Sequence, residues 1–490
     1  MNAPKNAAPK IPLPQIPLPN PPCRAHQFHP SPPHSSASIR LPNPPPSPRP
    51  QTLDPRPFLS LLLLLCALLL PAHAETILFQ DATVHTVSGE TLAPGSVLVR
   101  DGKIISVSRQ VAARVDKVEN LKGLHLFPGL LLPTSSLGLV ELAGVRATLD
   151  VAEVGGYTPE VAAWQAVNPD SELIPVTRAN GITHALVLPM GGTISGSSGI
   201  ITLAGWTPEQ MTIKRPAAMH LFWPSLALDT TPRELAHDKT KWKSPDDQAK
   251  DRVKKQKELD DFIAQARAYA QAKAAAKTNA NPAAPFTIIP AWEAMLPVLS
   301  GQLPVMVHAE DVRQIKAALR WAETNQFKII LAGALDAWRI ADQIAKQRVP
   351  VIFEHTFTQP TRDTDSYDAH FRAASLLHKA GVQFAFSEGP GAWPATRARN
   401  LPFAAAQAVA FGLPEAEALR AITLNPARIL GLADRLGSIE TGKDATFIAT
   451  TGHILDLRTQ VKRLWIDGQE VTIESRHTRL YDKYRNRPKP

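Results

Sequence analysis

From residue 75 onward the apolar positions fall into two patterns. At both ends of that stretch they form short alternating or β-branched runs: Thr76–Phe79, Ala82–Thr86, Ser96–Val99 and Ile104–Val107 early, Ala445–Ala449, Val461–Ile466 and Gln469–Ile473 late. Asp-Gly pairs at Asp101-Gly102 and Asp467-Gly468 separate neighbouring runs, which is a tight-hairpin signal. The strand-rich ends, residues 75–127 and 436–474, predict one small β-sandwich assembled from both. Between them, apolar strands at Ile182–Leu188, Val305–His308, Lys328–Leu331, Pro350–Phe353 and Val382–Phe386 alternate with helical stretches such as Asp311–Thr324 and Leu335–Gln347. Such alternation means parallel strands joined by crossover helices. Over residues 128–435 it predicts an α/β fold, a (β/α)8 TIM-like barrel with its active site at the carboxyl ends of the strands. An open doubly wound sheet would need a glycine-rich nucleotide turn, and no convincing one is present. Residues 233–276 break the alternation: they are charged and Ala-rich, with Leu259, Phe262, Ile263, Ala266 and Tyr269 at helical spacing, and read as a helix inserted across the barrel.

The first 74 residues carry no such pattern. Residues 1–55 are crowded with proline and predict an extended or disordered segment. Residues 56–74 then run from Arg56-Pro57 through the apolar stretch Phe58–Leu70 to Pro71-Ala72-His73-Ala74, the order of a secretory signal peptide cut after Ala74. The apolar stretch is shorter than the roughly 20 residues a spanning helix needs, and Leu64 and Leu65 ahead of Cys66 do not suit lipidation. The expected product is secreted or periplasmic and free of the membrane after cleavage, with translation expected to start just before Arg56. Cys23 and Cys66 both precede the cut, so no disulfide, thiolate metal site or cysteine nucleophile is expected.

Composition adds little beyond this. With 44% hydrophobic and 20% charged residues the chain is an ordinary globular one. The net charge of +9 falls to about +4 without residues 1–74, which hold Lys5, Lys10, Arg24, Arg40, Arg49 and Arg56 against Asp54. Residues 475–490 hold much of the rest and read as a solvated basic tail; no aromatic-basic motif points to nucleic acid.

Three motifs carry a resemblance. Pro128-Gly129-Leu130, entered from a strand, resembles the start of amidohydrolase-superfamily barrels. Thr423-Leu424-Asn425-Pro426-Ala427 and Gly437-Ser438-Ile439-Glu440-Thr441-Gly442-Lys443-Asp444-Ala445 resemble the return into their C-terminal sandwich. The chain is most similar to imidazolonepropionase-like exported members, over about residues 76–474. The resemblance implies a divalent metal, zinc above all, that ionises a water and polarises an amide carbonyl. It also implies ligands from a His-x-His on the first strand, single histidines after strands five and six, and an aspartate after strand eight.

The chain departs from that ligand set. Thr134 and Ser136 stand in place of both first-strand imidazoles, and Gly333 in place of the sixth-strand histidine. His308 keeps the fifth-strand position, and Glu388, after Ser387, takes the place of the aspartate. His308 therefore reads either as a ligand or as a hydrogen-bonded core histidine, and Glu388 as a base or ligand or as a capping or ion-paired carboxylate. His355, after the seventh strand, supplies a third ligand if it points inward. Glu310 and Asp311 suit helix capping as well as binding. The stretch Gly191–Gly199, with Gly192, Ser195 and Ser197, reads as a barrel loop, either a substrate loop or a flexible connection.

Two functions follow. The first is an exported hydrolase of carbon–nitrogen bonds in a non-peptide amide, cyclic amide or small dipeptide, through a reduced metal site of His308, His355 and Glu388. The second is an inactive relative that keeps the pocket as a binding or partner surface, as a homo-oligomer or paired with an intact paralogue.

Overall fold

The computed structural model describes residues 75–278 and 286–488. The proline-rich segment, the signal peptide and both cysteines lie outside the described residues.

The two strand-rich ends form one eight-stranded sheet. Its order runs Gln469–Glu470, Val461–Ile466, Phe447–Thr450, His125–Pro128, Thr76–His85, Thr91–Arg100, Lys103–Ser108, with Lys117–Asn120 also paired to Thr76–His85. The two ends meet where Phe447 pairs with Pro128 and Ile448 with Phe127. These central strands are apolar on both faces because each face covers a different core. Leu126, Phe447, Ala449 and Trp465 pack with Phe79 inside the sheet domain, while Phe127, Ile448, Leu464 and Ile466 join the barrel's outer core. Phe79 meets Phe447 and Trp465 edge-on at 5.0 and 5.1 Å. Both Asp-Gly pairs turn hairpins in the left-handed region, and the two tips abut: a Cβ on Gly102 would lie 2.6 Å from the Asp467 carbonyl. The closing motif locks this corner, with buried Asp444 ion-paired to Lys103 and to Arg435 Nε, the latter at 2.8 Å.

The second sheet is the barrel, eight strands in sequential order: Leu130–Ser135, Ile182–Val187, Ile194–Thr202, Thr212–Phe222, Val305–Ala309, Ile329–Gly333, Val351–Phe353 and Phe384–Phe386. Leu131, Leu186, Ile200, Ala218, Met306, Ile330 and Ile352 fill its interior. The first and eighth strands meet through a side chain, since Ser387 Oγ donates to the Thr134 carbonyl at 2.8 Å and accepts from the Thr134 amide at 3.3 Å.

One strand departs from the predicted (β/α)8 pattern. The third runs antiparallel to both neighbours, and it includes most of the glycine-rich stretch read from sequence as a loop. The reason is connection length. Only Leu188–Thr193 link the second strand to the third, too few for the dozen or more residues of a parallel crossover. Small residues suit this strand because neighbours press on it: a Cβ on Gly196 would lie 2.5 Å from the Val161 carbonyl, and one on Gly199 would lie 2.8 Å from Trp164. Reversal also puts the start of the third strand, rather than its end, at the active-site mouth.

The inserted segment forms a 34-residue helix, Pro245–Thr278. It buries Leu259, Ile263, Ala266 and Tyr269, and Phe262 stacks on Tyr157 at 4.7 Å. Arg267 donates to the Asn325 carbonyl, so the helix lies along the helix Val312–Asn325 that follows the fifth strand. That following helix is opened by Asp311, whose carboxylate accepts from the amides of Arg313 and Gln314 in a capping box. Residues 476–485 of the expected basic tail are helical, capped in the same way by Ser475 and Thr478.

Candidate active site at the barrel mouth

Strand register fixes which side chains can meet. His308 pairs with Ala332, Ala332 with Ile352, and Ile352 with Ala385, and Ala332 and Ile352 belong to the interior core. Two residues further along, on the same inward parity, come Glu310, Glu354 and Ser387. Gly333 and Glu388 have the opposite parity. The interior positions at the ends of strands six and eight are thus alanine and serine.

Glu354 is the centre of the mouth. Thr134, from the first strand, donates its hydroxyl to Glu354 Oε1 in a short hydrogen bond. On the other side the chain withdraws: a Cβ on Gly389 would lie 2.6 Å from Glu354 Oε2, and Gly389 sits at φ +88°. Burial lifts the Glu354 carboxyl to about 7; the Thr134 hydrogen bond opposes this, and the nearby Glu310 and Glu388 charges add to it. Glu388 is also raised to about 7, by burial, against the pull of Arg397 at 3.6 Å.

Beside Glu354, His355 Nε2 lies 2.7 Å from Glu310 Oε2, and its Nδ1 lies 3.0 Å from Thr358 Oγ1. Burial alone would lower the His355 imidazole, yet the Glu310 bond and charge outweigh it and the ring is raised. Burial likewise opposes ionisation of Glu310, but the hydrogen bond from His355 holds it below the usual carboxylate range. Each charge favours the other, so the two side chains form a couple that favours an imidazolium beside a carboxylate. Gly333 makes room for it, since a Cβ there would lie 2.4 Å from Glu310 Oε1.

His308 is engaged elsewhere. Its Nε2 faces His220 Nδ1 at 3.0 Å, one ring donating and the other accepting, and Phe222 stacks on it at 4.1 Å. Burial drives the His308 imidazole down to about 4, and burial with the His308 charge holds His220 well below its ordinary value. His220 Nε2 is buried without a hydrogen-bond partner. Ser136 Oγ accepts from the Gly391 amide at 2.8 Å. Of the glycine-rich stretch, Ser195 donates to the Pro189 carbonyl and Ser197 to the Val161 carbonyl, and Gly192 packs against the Gly156 backbone.

A metal demands several free, convergent donors. The hydroxyls of Thr134 and Ser136 and both nitrogens of His355 already have partners here, as does Nε2 of His308. Among the described residues no group of three or more His, Cys, Asp or Glu side chains is placed to hold a metal ion, so His308, His355 and Glu388 are not assembled as a ligand set. The donors do not fit a tightly held cation. Sequence reading missed Glu354 and His220. Glu354 was visible as the residue two beyond inward Ile352, whereas the His220–His308 contact spans 88 positions and has no local signal.

Comparisons agree with this architecture. The model of the amidohydrolase family matches residues 209–471. An amidohydrolase named tasK from Hapsidospora irregularis is 23% identical over 401 residues, 76% of this chain. The chain spans only 39% of that relative's length. A crystal structure of an amidohydrolase from Thermotoga maritima MSB8 superposes with a TM-score of 0.71 at 27% identity, covering 81% of this chain and 99% of that one.

Proposed function

The chain belongs to the amidohydrolase family, and we propose that it hydrolyses a carbon–nitrogen bond of a small amide, cyclic amide or dipeptide, with Glu354 and the Glu310–His355 couple moving the protons. The observation that supports this reading is the Glu354 carboxyl, held at the barrel mouth by Thr134 and raised to about 7. A base at that value is about half ionised at neutral pH, where proton transfer works best.

In this scheme Glu354 takes a proton from water as the oxygen bonds to the amide carbon. The carbon–nitrogen bond then breaks, and the leaving nitrogen takes a proton from the His355 imidazolium. The products are a carboxylic acid and an amine, and the proton on Glu354 passes through solvent to restore His355. Glu310 holds the imidazole ring and favours its charged form. Family members typically depend on a metal that polarises the carbonyl; the proton transfers proposed here run between side chains alone.

The second reading, a barrel that binds without catalysis, as a homo-oligomer or beside an intact paralogue, is supported by the hydroxyls at Thr134 and Ser136. Export to a periplasmic or extracellular location rests on the leader at residues 56–74.

The test is turnover of a panel of N-acyl amino acids, lactams and dipeptides by purified protein, with chelator and with added divalent metal. Turnover that survives chelation and disappears in Glu354→Gln supports the reading. Turnover that needs added metal and ignores Glu354→Gln overturns it. Saturable binding of a panel member without turnover favours the second reading.

A further inference from the structure

Every residue of the helix Arg476–Arg485 is exposed, and none belongs to the side chains assembled at the mouth. Its base is tied to the protein. Ser475, 2% exposed, caps it, Arg479 pairs with Glu172 at 3.2 Å, and His477 Nδ1 meets Arg399 at 2.9 Å. Beyond that base an apolar stripe faces solvent. Leu480, Tyr481 and Tyr484 fall at helical spacing on one face, with Tyr481 64% and Tyr484 60% exposed.

Charge brackets the stripe. At 100° per residue, Arg476 and Lys483 lie along one edge and Arg485 along the other. Lys483 lies 5.6 Å from the Tyr484 ring and Arg485 5.3 Å from the Tyr481 ring, so their heads sit beside the aromatic faces. Between Ser475 and Pro488 the chain has Arg476, Arg479, Lys483, Arg485 and Arg487 against Asp482 alone. Nothing in an enzyme's own chemistry calls for such a face. Tyrosine rings set between long cationic side chains fit a lipid–water boundary, with rings at headgroup depth and cations on phosphates.

We propose that this helix docks the folded protein on an anionic lipid bilayer, lying in the headgroup plane with Leu480, Tyr481 and Tyr484 inward and the cations on lipid phosphates. Among the described residues no helix is long and apolar enough to cross a membrane. The proposal departs from the sequence-based expectation of a protein free of the membrane after cleavage. Charge complementarity selects anionic lipid over neutral lipid, since each cation near such a surface strengthens attachment roughly five-fold. Aliphatic Leu480 on the same face favours lipid over duplex DNA, which offers no apolar layer to receive it, and an acidic protein partner is an outcome of the test.

Vesicle co-sedimentation tests this with the purified protein. Binding is expected to phosphatidylglycerol-containing vesicles, to be far weaker to phosphatidylcholine alone, and to fall as salt rises. Arg476→Gln with Lys483→Gln should lower the partition coefficient about 25-fold. Tyr481→Ser with Tyr484→Ser, which leaves charge unchanged, should lower it by about five-fold or more. All four positions are exposed and outside the mouth, so hydrolase turnover and thermal unfolding should match the parent. Equal binding to neutral and anionic vesicles would overturn the proposal. So would tyrosine variants that bind like the parent, or a helix that prefers duplex DNA or an acidic protein to anionic vesicles at equal charge concentration.

Discussion

The Glu354 carboxylate occupies the space that a side chain on residue 389 would need, with Oε2 only 2.6 Å from a Cβ built on Gly389. Loop and carboxylate are therefore fitted to each other, and Gly389 also sits at φ +88°, where L side chains are strained. Gly389→Ala should push Glu354 off Thr134 and cost about 1–3 kcal/mol of stability. Urea unfolding and turnover measured together check this: the variant should lose turnover at temperatures where it remains folded. Full activity in Gly389→Ala would mean that Glu354 does not need its present position.

The raised Glu354 carboxyl makes a signed pH prediction. Its folded value of about 7 lies above the ordinary 4.5, so between those values the folded state holds a proton that the unfolded state has released. Its contribution is fully present below about pH 4.5 and is lost as pH rises through 7. Glu354→Gln should therefore gain stability relative to the parent on going from pH 5 to pH 8, by up to roughly 3 kcal/mol. A difference between the two proteins that stays flat with pH would place the carboxyl near its ordinary value. The rate should follow the same ionisation, with kcat/KM rising through about 7 and falling again at higher pH as His355 loses its proton. Glu354→Gln should abolish the acid limb and cost at least about 10²-fold in rate.

The histidine pair behaves oppositely. His308 is held at about 4, below the ordinary 6.5, so its contribution is present above 6.5 and lost as pH falls toward 4. His308→Ala removes the ring from its contact with Phe222 and leaves both nitrogens of buried His220 unpartnered. A cost of about 2–4 kcal/mol is expected. The double variant His220→Phe with His308→Leu should recover a large part of it, because no buried polar ring is then left alone. A thermodynamic cycle of His220→Phe, His308→Leu and their double variant, measured at pH 7.5, checks this; additive losses would mean that the two rings do not interact.

What was legible in the sequence follows from the range of each signal. Alternation and Asp-Gly turns are local, and they located the strands around Asp101 and Asp467 and the joining of both chain ends into one sheet. The order of the fifth to eighth barrel strands was equally visible, because each follows its helix, whereas the fourth, Thr212–Phe222, was not read from the sequence. The third strand was hidden because Gly196 and Gly199 are glycine for a tertiary reason, the approach of Val161 and Trp164, and glycine in a sequence reads as loop. At the site, the motif positions Gly333 and Glu388 lie one residue beyond Ala332 and Ser387 and so have the opposite pleat parity, yet both border the mouth: a Cβ on Gly333 would meet Glu310, and the Glu388 charge acts on Glu354. Glu354 belongs to no motif and was passed over beside His355, itself a candidate outside the family's histidine positions.

The closing motif gives a prediction independent of chemistry. Asp444 is buried and joins Lys103 of the N-terminal strands to Arg435, which precedes the C-terminal ones. Asp444→Asn removes the charge but keeps the shape, leaving two partly exposed cations close together. The expected loss is about 1–3 kcal/mol, smaller than for a fully buried pair because Lys103 and Arg435 can turn toward water. Thermal unfolding at low and high salt distinguishes the causes: repulsion between the cations should ease with salt, whereas a loss independent of salt would come from hydrogen bonding alone.

Metal affinity is the last consequence of the site's geometry. Zinc holds tightly where three or more nitrogen, thiolate or carboxylate donors converge with their lone pairs free. Here His355 Nε2 is hydrogen-bonded to Glu310, His308 is joined to His220, and Thr134 donates to Glu354. A cation would have to break the Glu310–His355 couple and displace a proton from His355, and each cost lowers affinity further as pH falls. Dialysed protein should therefore retain well under one zinc per chain by elemental analysis, and zinc titration should show affinity rising with pH. Thr134→His restores one first-strand imidazole beside Glu354 and should strengthen zinc binding by about tenfold or more. Stoichiometric zinc that survives dialysis of the parent protein would mean that its donors rearrange around the metal, and the proton-transfer roles given to Glu354 and His355 would then fall.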